Sequence, residues 1–117
     1  METSVNNKCK AFTSLEQSKK LAEILPLESA DMYWDLLSKD KYAKVNNIGH
    51  CLGRTCVYAW SLAALLGVLP DYTLQTDIDG TVFVVCESKK PIISDAYDNP
   101  VDACYEMILK LNELKML

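Results

Sequence analysis

A single histidine, His50, stands among the 117 residues, so a zinc site or a nucleophile–base pair that needs imidazole has one residue to draw on. Glycine is scarce at four residues, and the pair Gly49 and Gly53 lacks the following Gly-Lys-Ser/Thr of a phosphate-cradling loop. The most apolar run, Cys56 to Pro70, falls short of the roughly 20 residues that cross a bilayer. The opening Met-Glu-Thr-Ser-Val-Asn-Asn-Lys has neither a basic segment followed by an apolar one nor a small-residue cleavage site. These features lead to the expectation of a cytoplasmic protein with no membrane segment. Basic residues are outnumbered 12 to 16, giving a net charge of −4, which repels a polyphosphate backbone and makes nucleic acid an unlikely partner.

The composition that remains is that of a globular chain, 50% hydrophobic and 24% charged. Its length suits one domain, residues 1–117, able to bury a core without metal or disulfide support, with residues 1–12 expected to form a flexible tail. Cys9, Cys51, Cys56, Cys86 and Cys104 make an odd count, which points to reduced thiols acting mostly as small buried apolar groups.

Periodicity places a first helix from about Ser14 to Leu25, with Thr13 and Glu16 spaced as a capping box and Pro26 as its stop. Cys56–Pro70 is apolar except at Ser61 and is expected to be a core helix capped by Thr55 and ended by Gly67. Residues 27–53 fit either a helix or strands, with Met32–Trp34 and Tyr42–Ile48 as the strand candidates. Asp79-Gly80 joins Tyr72–Ile78 to Thr81–Glu87 in what resembles a two-residue hairpin; this pairs Thr76 with Phe83 and Leu74 with Val85. A third strand is expected at Ile92–Ala96. Asn99-Pro100 opens a last helix whose apolar face is Cys104, Met107, Ile108, Leu111 and Leu114. The sum is an α+β fold: a small antiparallel sheet of three to four strands packed with three helices as a helix-sheet-helix sandwich.

Trp60–Leu66 with Val68–Pro70, Asp98–Ile108 and Leu21–Met32 resemble a family of short uncharacterised proteins common in phages and mobile elements of gut bacteria. The hairpin followed by Ala96-x-x-Asn99-Pro100-x-Asp102-Ala103-Cys104 is similar, more loosely, to the phage ABA-sandwich domain. The resemblance implies a fold and a mobile-element origin; it brings no activity and no catalytic residues.

With the hairpin paired as above, Val82, Val84 and Cys86 share a sheet face with Thr73 and Gln75, apolar enough to mark an interface. Trp34 and Tyr42, in a middle segment made locally basic by Lys39, Lys41, Lys44 and Arg54, extend that candidate surface. The expected function is a non-enzymatic protein–protein interaction module with an unidentified protein partner, a homodimer being one form of it, and no cofactor. The alternative is a metal- or thiol-dependent enzyme centred on His50, Cys51 and Cys56; a weaker one is a nucleic-acid-binding accessory factor built on the basic, aromatic middle segment.

Overall fold

The computed structural model describes residues 10–36, 44–45, 56–87 and 90–117. Within them the fold is α+β: helices α1 (Leu15–Ala22), α2 (Leu62–Val68) and α3 (Pro100–Glu113), and six strands, β1 (Met32–Asp35), β2 (Lys44–Val45), β3 (Cys56–Ala59), β4 (Tyr72–Thr76), β5 (Val82–Cys86) and β6 (Ile92–Ile93). The strands form two three-stranded antiparallel sheets, ordered β2-β1-β3 and β4-β5-β6, rather than one.

The expected core helix is divided in two. Cys56–Ala59 pairs residue for residue with β1, from Met32 opposite Ala59 to Asp35 opposite Cys56. Ser61, the polar interruption of the run, is the N-cap of α2 and accepts from the Ala64 amide at 3.2 Å. Its own amide donates to Asp31 Oδ1 at 2.9 Å and its hydroxyl to Asp31 Oδ2. A serine held extended in this way starts a helix and cannot continue one through itself. Gly67 accordingly lies inside α2, and Leu69 ends it.

One position also separates expectation from structure at α1. Ser14, not Thr13, is the cap, and the box closes with Gln17: the Gln17 amide donates to Ser14 Oγ at 3.1 Å, and the Ser14 amide to Gln17 Oε1 at 3.0 Å. Thr13 is fully buried instead; its amide donates to Trp60 O at 2.9 Å, while its Oγ1 accepts from the Trp60 amide at 3.1 Å and lies 2.7 Å from Ser18 Oγ. The Trp60 indole, also fully buried, donates to Ser29 Oγ at 2.9 Å.

The segment at residues 10–12 contacts the rest of the fold. Phe12 bridges to Ser61, its ring meets Trp34 edge-on at 5.7 Å, and Lys10 reaches Asp102 at 2.8 Å. Asp102 is a junction between α1 and α3: it accepts from Lys10, from Gln17 Nε2 at 2.9 Å and from Asn99 Nδ2 at 2.9 Å. These donors outweigh the opposing effect of burial and hold its carboxyl below the usual range.

The start of α3 is as read from the sequence, with Asn99 accepting from the Asp102 amide and Pro100 at the first helical position. Cys104, Met107, Ile108 and Leu111 are fully buried, whereas Leu114, past the helix end, is exposed. One core cluster joins Leu21 and Leu25, Trp60, Leu65 and Leu69, the inward residues of β5, and α3. Sheet β4-β5-β6 meets that core through β5 against α3; β3 of the other sheet packs on α1.

Candidate interaction surface

The hairpin register decides which side chains the second sheet shows to solvent. Asp77 N donates to Thr81 O at 2.8 Å and Gly80 N to Asp77 O at 3.0 Å, with Gly80 at φ 88°. That is a three-residue loop, a turn followed by a left-handed glycine, and not the two-residue turn that would need positive φ at Asp79 as well. Asp79 Oδ1 accepts from the Thr81 amide at 3.0 Å, which favours this loop.

The consequence is a shift of one residue against the expected pairing. Thr76 faces Val82, Leu74 faces Val84 and Tyr72 faces Cys86. The face bearing Val82, Val84 and Cys86 therefore turns to α3, and their exposures of 9%, 0% and 2% place them in the core, not on an interface. Gln75, opposite Phe83, lies on the other face and is exposed, as is Thr73. Trp34 is half-buried and its indole donates to Thr13 O at 3.0 Å, so it fastens the N-terminal segment to β1. Tyr42 lies outside the described residues.

What the register leaves open is an edge. The bonds Asp77 N to Thr81 O and Glu87 N to Asp71 O set the odd-numbered residues of β4 as those bonded to β5. The N–H and C=O groups of Tyr72, Leu74 and Thr76 point outward, and β4 has no strand partner on that side among the described residues. Every residue of the strand except half-buried Leu74 is exposed. Nor does β4 carry the usual protection of an edge, since Tyr-Thr-Leu-Gln-Thr has no charge, no proline and no bulge. Acidic residues stand at both ends, Asp71 beside Glu87 and Asp77 next to the loop, all exposed.

Three of the thiol positions fall among the described residues. Cys86 and Cys104 are free and buried. Burial, reinforced by neighbouring Cys86, pushes the Cys104 thiol up to about 12; burial and Glu87 raise Cys86. Cys56, expected as a reduced thiol, is disulfide-bonded, so in this state it is neither a thiolate nucleophile nor a zinc ligand. His50 and Cys51 lie outside the described residues. Among the described residues no group of three or more His, Cys, Asp or Glu converges as metal ligands, and no helix is long and apolar enough to cross a membrane.

Clefts flank the helices among the described residues. One, of about 250 Å³, lies between α3 and the segment after β6 and is lined by Ser94, Asp95, Tyr97, Glu106, Lys110 and Glu113 among others. Burial, then Glu106, Asp95 and Asp102, raise the Tyr97 hydroxyl, and the Lys110 ammonium donates to Ile93 O at 3.2 Å. A second, of about 290 Å³, lies between α1 and β3 against Lys19, Ala22, Leu27, Val57 and Tyr58. Neither sets a nucleophile against a base. No protein-family model, curated protein or solved structure matches the chain.

Proposed function

We propose that this protein is a non-enzymatic interaction module that takes a partner polypeptide as an added strand on the outer edge of β4. The observation carrying this reading is the row of outward N–H and C=O groups at Tyr72, Leu74 and Thr76 on an exposed, uncharged strand. Such an edge is a template for β-augmentation, in which main-chain bonds supply affinity and alternate side chains supply selection. The rigid support behind it, β5 buried against α3, keeps the template extended.

The likeness of Leu21–Met32, Trp60–Leu66 with Val68–Pro70, and Asp98–Ile108 to short phage and mobile-element proteins supports an origin of that kind. A helix-sheet-helix sandwich belongs to the same proposal: it needs a cover over Phe83 and Val85, the face of β5 turned from α3, and the burial of Val85 supports one. A cytoplasmic setting is supported by the free thiols Cys86 and Cys104, with the disulfide at Cys56 weighing against it.

The test is a photo-crosslinking residue at position 75 in cells expressing the protein with and without Thr76→Pro. The Thr76 amide points away from β5, so proline there removes an edge donor and leaves the β4–β5 ladder intact. A discrete crosslinked product lost in the proline variant is expected; a product that survives it would overturn the edge as the docking site.

A further inference from the structure

We infer that the strand this edge accepts is an extended segment with an uncharged, β-branched centre and a basic residue at each end, six positions apart. The inference rests on the edge reading above and adds the chemistry of the occupant.

Asp71 and Asp77 bracket β4, and Glu87, bonded through its amide to Asp71 O, doubles the negative charge at the first end. Both aspartates share the parity of Thr73 and Gln75 in the ladder that the Asp77–Thr81 and Glu87–Asp71 bonds continue, which sets them on the sheet face away from α3, and Asp77 Oδ1 also accepts from the Ile78 amide at 2.8 Å. A strand laid antiparallel on β4 places one residue opposite each of these positions, close enough for cross-strand charge pairing. At about 3.3 Å per residue the two acidic ends lie roughly 20 Å apart. An occupant with Lys or Arg at its first and seventh residues meets both.

The same geometry argues against a second copy of this chain. In the symmetric pairing centred on Leu74, Asp71 of each copy falls opposite Asp77 of the other, setting like charges against each other at both ends. A net charge of −4 on each copy adds to that repulsion. The partner's centre is uncharged because the residues it covers, Tyr72 to Thr76, are uncharged and offer a buried or ionised group nothing to pair with.

The test titrates ¹⁵N-labelled protein with two capped peptides, Lys-Thr-Val-Thr-Val-Thr-Lys and the same sequence with Glu at both ends. Expected are shifts of the Tyr72, Leu74 and Thr76 amides with the lysine peptide, and binding at least tenfold weaker for the glutamate peptide. Asp71→Asn with Asp77→Asn should weaken the lysine peptide by roughly fivefold, the loss of two exposed ion pairs, and remove most of the discrimination. Equal binding of both peptides at these amides would overturn the charge rule and leave the edge reading standing. No shift at these amides with either peptide would overturn both. A dimer by light scattering, with these amides already protected in the free protein, would assign the edge to a second copy and overturn the inference.

Discussion

Thr13→Val is nearly isosteric and removes one hydroxyl from the centre of the molecule. Thr13 Oγ1 is fully buried, accepts from the Trp60 amide at 3.1 Å and is hydrogen-bonded to Ser18 Oγ at 2.7 Å. Valine leaves the Trp60 N–H without an acceptor in a site closed to water, which costs about 1–3 kcal/mol. Ser18, also fully buried, loses its side-chain partner but can turn its hydroxyl to a carbonyl one turn back, so its share is smaller, about 1 kcal/mol. The expected loss is about 2–4 kcal/mol, a large part of the roughly 5–15 kcal/mol available to a domain of this size. Urea unfolding followed by tryptophan fluorescence reads it as a lower midpoint at unchanged slope. In the cycle with Ser18→Ala, the double variant should be more stable than the sum of the singles by about 1 kcal/mol, since the Ser18 share is counted only once. A Thr13→Val protein within about 0.5 kcal/mol of the parent would refute the argument that this hydroxyl satisfies the Trp60 amide.

Three further outcomes are expected. Val84→Arg, at a fully buried position facing α3, should abolish cooperative unfolding by circular dichroism, whereas a folded variant would place Val84 outside the core. Gly67→Ala should stabilise by about 0.5–1 kcal/mol, because Gly67 sits inside α2 with nothing within 4 Å of an added Cβ; destabilisation on thermal melting would show that the helix does not run through it. Asp102 has a folded-state pKa below its usual 3.8, so its contribution is present above that value and is lost as pH falls through the lowered one. Asp102→Asn should therefore be less stable at pH 7 and show a shallower loss of stability between about pH 5 and 2; parallel acid limbs for the two proteins would contradict the junction.

Local signals were legible and registers were not. Asn99-Pro100 gives the start of α3 because cap and first-turn chemistry act within four residues. Thr13 and Ser14 are both good caps, and only the burial of Thr13 under Trp60 separates them. In Cys56–Pro70 the apolar content is visible, yet strand and helix are divided by tertiary pairing of β3 with β1 and by the Asp31 bonds to Ser61. The hairpin matters most for function. Val82-Phe83-Val84-Val85-Cys86 is apolar on both faces, so its pattern does not specify which face is buried, and the loop alone sets the register. Counting the loop as two residues instead of three exchanges core for surface and sets Val82, Val84 and Cys86 on an interface. The edge itself has a sequence signal, an uncharged β-prone run between acids, that becomes informative once β4 is known to be an outer strand.

Amide hydrogen exchange along Asp71–Asp77 tests the open edge most directly. The account predicts alternation in the free protein, with Thr73, Gln75 and Asp77 protected by β5 and Tyr72, Leu74 and Thr76 exchanging fast, and protection of the latter three when the lysine-flanked peptide is added. Uniform protection in the free protein, or three fast amides that stay fast with the peptide in excess, would contradict it.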